Sequence, residues 1–167
     1  MNQKMISLKD IGLNFKKGGN NMNYELRKYT DNDYEFVYEL KKNSYKKYVE
    51  ENWGTWDEQQ QRDHFKKFIE VYKNNTYIIQ ANNEEIGFYN DEYLEDGTYE
   101  IGNICIIPKY QGQGIGTKIL KDKIEENKER DIIIQYFKQN PVGNLYKRLG
   151  FVDYNEKPYH YQLIKRR

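Results

Sequence analysis

Gly112, Gly114 and Gly116 alternate in the stretch Gln111-Gly112-Gln113-Gly114-Ile115-Gly116-Thr117, between the apolar run Ile104-Cys105-Ile106-Ile107-Pro108 and the helical pattern Ile115, Ile119, Ile124. A strand that runs into a glycine-dense turn and opens a helix presents N–H groups with no intrahelical partner at the positive end of the helix dipole. Glycine lets an anion approach that backbone with no Cβ in the way. Gln111–Thr117 therefore has the make-up of a phosphate cradle. A tight strand-to-helix turn that binds nothing would use the same residue types.

Spacing separates the phosphate loops. The P-loop order G-x-x-x-x-G-K-[ST] fails because Thr117, not lysine, follows Gly116, and the dinucleotide fingerprint G-x-G-x-x-G fails because the glycines stand one residue too close. The pattern Q/R-x-x-G-x-G/A does fit, as Gln111-Gly112-Gln113-Gly114-Ile115-Gly116. In this the chain resembles the diphosphate loop of the GCN5-related N-acetyltransferase (GNAT) family. Downstream, Asn140-Pro141-Val142-Gly143-Asn144-Leu145-Tyr146-Lys147-Arg148-Leu149-Gly150-Phe151 is similar to the family's second signature, N-x-x-x-x-x-Y followed by K/R-L-G-F. The likeness runs from about Asn23 to the C-terminus and is specific between Glu100 and Phe151.

The resemblance implies an α/β (mixed α+β) GNAT fold, a twisted mixed sheet of about seven strands with helices on both faces. It implies acetyl-CoA as cosubstrate and direct acetyl transfer to a primary amine, on a small molecule or a peptide. Such a transfer needs a neutral amine, a stabilised oxyanion and a protonated leaving thiolate. Glu100, in the strand ahead of the loop, matches a glutamate that several members use as base; a solvated or ion-paired carboxylate is the plain alternative. Strand period two puts it on one face with Gly102, Ile104 and Ile106. Ile104, Cys105 and Ile106 stand where the family binds the pantetheine arm through backbone amides. Tyr146 falls at the position of the tyrosine that protonates the thiolate, although a core aromatic fits there too. Asn140 matches the asparagine that touches the cofactor arm, or it caps the next helix, or both. The remaining cofactor contacts are Gln111, Gly112, Gln113, Gly114, Ile115, Gly116 and Thr117. For the acceptor, Tyr45, Tyr48, Glu50, Glu51, Trp53, Trp56, Asp57 and Glu58 offer aromatic faces and carboxylates suited to a cationic amine; a charged helix end with two half-buried tryptophans reads the same. A non-catalytic acyl-CoA-binding module that keeps the loop without the chemistry is the other functional class.

Composition sets the frame. The 167 residues are enough for one sizeable core. Twenty-seven basic residues against 26 acidic leave no field that draws nucleic acid. The single cysteine, Cys105, cannot form an internal disulfide and reads as a small apolar residue in its strand. His64 and His160 stand apart from other ligand types, so no metal is expected. No apolar run is long enough to span a bilayer, and lysines and asparagines interrupt any signal-like core at the N-terminus. A cytoplasmic protein without membrane contact is expected, with a homodimer left open. Apolar residues make up only 37% of the chain while tyrosines number 17, so tyrosine must fill much of the core.

The elements that must position these residues follow from periodicity. Residues 1–22 read as an extension, with Lys16-Lys17-Gly18-Gly19 as a joint, and 23–167 as the acetyltransferase domain. Strand Tyr24–Tyr29 precedes a helix from Thr30–Asp33 to about Glu50. A second helix opens at a Thr55–Glu58 capping box and carries Phe65, Phe68, Ile69 and Tyr72. Strands near Thr76–Ala81, Glu85–Leu94 and Thr98–Ile107 turn at Asn82-Asn83 and Asp96-Gly97. Helix Gly114–Lys128, strand Ile132–Tyr136, a helix from Pro141 ended by Gly150, and strands Phe151–Tyr154 and Tyr159–Ile164 complete the chain.

Overall fold

The computed structural model describes residues 23–167; the expected extension, 1–22, lies outside them. The elements run β1 (Glu25–Lys28), α1 (Tyr34–Trp53), α2 (Glu58–Tyr72), β2 (Thr76–Ala81), β3 (Glu84–Tyr93), β4 (Tyr99–Ile106), α3 (Ile115–Glu126), β5 (Ile132–Phe137), α4 (Gly143–Arg148), β6 (Val152–Glu156) and β7 (His160–Lys165). They build one seven-stranded sheet of order β1-β2-β3-β4-β5-β7-β6. Every neighbouring pair is antiparallel except β4 and β5. The expected order and sheet are the ones observed.

Local chemistry explains most boundaries. Asn82 and Asn83 both have positive φ, 52° and 61°, which gives the two-residue turn between β2 and β3 the twist a hairpin needs. Ahead of α1, Asp33 accepts from the Thr30 amide at 2.7 Å, and Arg27 holds the same carboxylate. That guanidinium keeps Asp33 below the usual carboxylate range. The cap of α2 differs from expectation: Asp57, not Thr55, is the N-cap, and its carboxylate accepts from the Gln60 amide at 2.7 Å. Asp and Thr are both good caps, and Asp57 is the one next to the first helical turn. Helix α4 begins at Gly143, two residues beyond Pro141, and Gly150 follows it with φ +90°.

Helices cover both faces. On one, Ile79, Ile101, Ile104, Ile106, Ile132 and Ile134 pack against Ile115, Ile119 and Leu120 of α3 and Leu145 and Tyr146 of α4. On the other, Ile78, Phe88, Cys105 and Phe137 meet Val37, Tyr38, Tyr45 and Tyr48 of α1 and Phe65 and Ile69 of α2. Tyrosine does supply the core: Tyr38, Tyr45, Tyr89, Tyr99 and Tyr146 are among the largest fully buried side chains. Their hydroxyls need polar company, and Tyr89 and Tyr99 share a 2.6 Å hydrogen bond that continues from Tyr99 to Asp91.

Candidate active site

Strands β4 and β5 are paired only from Tyr99–Ile101 to Ile132–Ile134. Beyond this, β4 continues along β3 to Ile106 while β5 continues along β7 to Phe137. The two strands part like the arms of a V. In the arm formed by β4, Ile107 donates to Ile86 of β3 at 2.7 Å. Antiparallel alternation then turns the amide of Ile104 away from β3, toward the gap.

The V opens at a bulge. Asp91 faces Ile101 and Tyr89 faces Ile104, so Asn90 alone opposes both Gly102 and Asn103. Asn90 Oδ1 accepts from the Asn103 amide at 2.8 Å and from Asn103 Nδ2 at 2.6 Å. Tyr45 of α1 donates to Asn103 Oδ1 at 2.8 Å, and its hydroxyl is also 3.1 Å from Cys105 Sγ. Asn90 Nδ2 is buried without a hydrogen-bond partner. Only glycine fits at 102, since a Cβ there would lie 2.5 Å from Asn90 Nδ2.

The bulge corrects one expectation. Period two would place Glu100 on the face of Ile104 and Ile106. The extra residue shifts the alternation, so Tyr99, Ile101, Ile104 and Ile106 share the α3/α4 face. Glu100, between Tyr99 and Ile101, points to the α1/α2 face with Cys105. It is half-buried there, opposite Glu92 of β3.

The glycine loop lies where β4 ends. Gln111 Nε2 donates to the Ile106 carbonyl at 2.6 Å and Gln113 Nε2 to the Lys109 carbonyl at 2.8 Å, so both side chains brace the turn. Gly112 and Gly114 have φ of +73° and +84°, and a Cβ on either would project into open space. Gly114 is the N-cap of the 12-residue α3 and brings no side chain to its first amides, which include those of Gly116 and Thr117. Ile115 and Gly116 are buried under the loop. Donors, dipole and open approach suit a diphosphate.

Across the V, Asn140 is buried and its Oδ1 accepts from the Val142 amide at 2.9 Å, closing the turn ahead of α4; it does not cap the helix as expected, because α4 starts later and Val142 is its N-cap. The ring of Tyr146 has no exposed surface and meets Tyr136 edge-on at 5.6 Å. It belongs to the α3/α4 face, so Glu100 and Tyr146 stand on opposite sides of the sheet.

The expected acceptor residues divide into two groups. Trp53 packs on Tyr159 at 4.4 Å and on Phe137 at 5.9 Å, at the β5–β7 end. Trp56 instead donates to Glu58 and lines a cavity between α1 and α2. Glu50 and Glu51 form loose pairs with Lys46 and Lys47 one turn back in α1. Residues given no place in the site by the sequence also line the α1/α2 face. Gln135 and Gln162 pair across β5 and β7, and His160 stacks on Phe137 at 4.2 Å. Burial pushes His160 down to about 4, so it is neutral at physiological pH. The Gly102-Asn103 pair inside an apolar strand was the available signal for the bulge; the glutamines gave none.

Among the described residues no His, Cys, Asp and Glu side chains gather as a metal site requires, and no helix is long and apolar enough to cross a membrane.

Residues 73–153 match the family model of the acetyltransferase (GNAT) domain. No curated protein matches the sequence. Among solved structures, the chain is similar to an acetyltransferase from Thermus thermophilus, with 15% identity, a TM-score of 0.68, and 87% of this chain and 98% of that one covered. It is also similar to the PaiA N-acetyltransferase of Thermoplasma acidophilum, solved with coenzyme A (19%, 0.65, 87% and 100%). A GNAT-family acetyltransferase from Bacillus anthracis is 23% identical, with a TM-score of 0.58 over 87% and 97% of the two chains. At these identities the structures speak for the fold, and the family model speaks for the domain. Together with the parted strands and the glycine loop, they show an acetyltransferase (GNAT) domain over residues 73–153, in a chain with the GNAT fold.

Proposed function

We propose that this domain binds acetyl-CoA in the V between β4 and β5 and catalyses acetyl transfer to a primary amine. The observation that carries this reading is the parting of β4 from β5 beside a glycine-capped helix N-terminus. The amides of Gln113 to Thr117 would hold the diphosphate, and the backbone of Ile104 to Ile106 would hold the arm. The cosubstrate supplies an acetyl group already activated as a thioester.

The residues on the two faces then divide the proton work. Glu100, on the α1/α2 face, takes the proton of the incoming ammonium, directly or through water. Tyr146, on the α3/α4 face, holds its hydroxyl proton for the departing sulfur. Placing base and acid on opposite sides lets the amine arrive on one face while the thiol leaves on the other. Trp53 and Tyr159 border the acceptor approach, with Glu50 and Glu51 nearby on α1. Complete burial of the Tyr146 ring favours a second reading, a module that binds acyl-CoA without turnover. Release of free thiol from acetyl-CoA, measured over peptides, polyamines, aminoglycosides and small metabolite amines, tests both. Amine-dependent release supports the enzyme and identifies its acceptor class. Binding of acetyl-CoA without release for any amine supports the module.

A further inference from the structure

The first described residues enter the sheet beside the V. Tyr24 donates from its hydroxyl to Asp122 of α3 at 2.8 Å, and Lys118 of the same helix lies over its ring at 5.0 Å. That helix carries the glycine loop at its N-terminus. The strand register agrees. Glu25, which opens β1, is opposite Gln80 of β2, and Gln80 is opposite Glu85 of β3. Two residues on, Gly87 is opposite Ile106 at the end of β4. So β1 begins almost level with the open end of the V, and the chain is pinned there to α3.

Upstream of this anchor the sequence carries primary amines, on Lys16 and Lys17 and, farther off, on Lys4 and Lys9. From β1 to β4 are three interstrand steps, together roughly 14 Å, and changing to the other face of the sheet adds about 10 Å. Eight residue steps separate Lys17 from Glu25, and a chain of that length spans up to about 26–29 Å. Lys17 therefore reaches the α1/α2 side of the V, and Lys16 does so with one residue to spare. Glu92 and Glu100 stand directly opposite each other on that side, next to the point where β4 and β5 part. Two carboxylates set side by side attract a cation. A tethered group has an effective concentration that falls as its tether outgrows the span, which ranks Lys16 and Lys17 ahead of Lys9 and Lys4.

We propose that the chain acetylates itself, with Lys16 or Lys17 as acceptor; this rests on the binding of acetyl-CoA in the V. The lysine ammonium gives a proton to Glu100, and its nitrogen bonds to the thioester carbonyl carbon. The carbon–sulfur bond then breaks, the thiolate takes the Tyr146 proton, and solvent carries the proton on Glu100 back to Tyr146. The products are an Nε-acetyl-lysine and free coenzyme A. Acetylation removes the lysine's charge, so the product loses its attraction to Glu92 and Glu100.

The full chain is incubated with acetyl-CoA and no added amine, and the intact protein and its peptides are weighed by mass spectrometry. An acetyl group on Lys16 or Lys17 is expected, gained at a rate per chain that is unchanged over about a hundredfold dilution of the protein, because a short tether acts like a millimolar acceptor. The double variant Lys16→Arg, Lys17→Arg keeps both charges but has no acceptor there. It is expected to lose the modification and to release thiol from acetyl-CoA with an added amine as the parent does. Acetylation that persists in folded Gly114→Glu, that falls in proportion to dilution, or that appears only on other lysines would overturn the proposal. So would transfer to added amines with none to Lys16 or Lys17, an outcome that leaves the acetyltransferase reading in place. No transfer to any amine, added or its own, would overturn that reading and this proposal together.

Discussion

The sheet presents isoleucine and tyrosine to α3 and α4, but amides and carboxylates to much of the opposite side. On the first face Ile101, Ile104, Ile106, Ile132 and Ile134 form an aliphatic layer that seats α3 and so fixes the glycine loop at its N-terminus. On the second, Asn90, Glu92, Glu100, Asn103, Gln135, Gln162 and His160 occupy positions that could have been apolar. Buried polar groups are costly unless satisfied, so a run of them over four strands is unlike ordinary core. Under the proposed function, the contrast assigns the diphosphate loop and the proton donor Tyr146 to the aliphatic face, and recognition of the amine and removal of its proton to the polar one.

The largest effect expected is on the aliphatic side. Gly114→Glu places a side chain at φ +84° and a carboxylate in the anion approach, and is expected to abolish the rise in melting temperature that acetyl-CoA gives the parent protein. A folded variant that keeps the full shift would move the diphosphate elsewhere. Next comes Tyr146→Phe. As the proton donor, Tyr146 should be worth about 10²–10⁴-fold in kcat, with cofactor affinity and melting temperature little changed; a loss near twofold would assign the residue to packing. For Glu100→Gln on the polar face, a kcat/KM loss of about 10²-fold is expected, read from steady-state thiol release. An unchanged kcat/KM would leave proton removal to water.

Two smaller perturbations probe the seam and the margin of the polar face. Gly102→Ala forces a Cβ against Asn90 and is expected to destabilise the fold by about 1–3 kcal/mol, read from denaturant unfolding. His160 carries the least. Folded His160 titrates near 4 and an unfolded histidine near 6.5, so between those values the unfolded chain binds more protons. The contribution of this group is therefore intact above pH 6.5 and declines as pH falls toward 4. His160→Phe should flatten that part of the curve of melting temperature against pH. An identical slope in both proteins would show that His160 is not shielded as described.

Much of this molecule was legible in its residues. Asn82-Asn83 announced the β2–β3 hairpin, the Phe65–Tyr72 spacing announced α2, and the glycine loop with the Asn140–Phe151 segment announced the fold. Asp57 in place of Thr55 as the α2 cap shows the limit of local pattern, because two good caps stood two residues apart. The orientation of Glu100 was lost for a deeper reason. Counting by twos assumes unbroken pairing, and whether Gly102-Asn103 bulges is decided by Asn90, twelve or more residues upstream. Trp53 and Trp56 look like one aromatic cluster in sequence. They separate because α1 ends between them and Gly54, with φ +92°, redirects the chain. The polar face itself gave no warning, since Gln135 and Gln162 become neighbours only through the β5–β7 register.

The bulge in β4 also makes that strand change audience partway along its length. Before Gly102 the even-numbered position, Glu100, addresses the α1/α2 side; after it the odd-numbered Cys105 does. A designer seeking a new acceptor specificity by randomising alternate residues of β4 would, on an unbroken count, vary half of the intended surface and half of the hydrophobic layer beneath α3. Libraries phased on either side of Gly102 would leave the scaffold intact. The same phase change means that a one-residue deletion at 102–103 would remove the bulge yet keep Asp91 opposite Ile101 and Tyr89 opposite Ile104, so both arms of the strand would hold their present faces while the Asn90 pocket is lost.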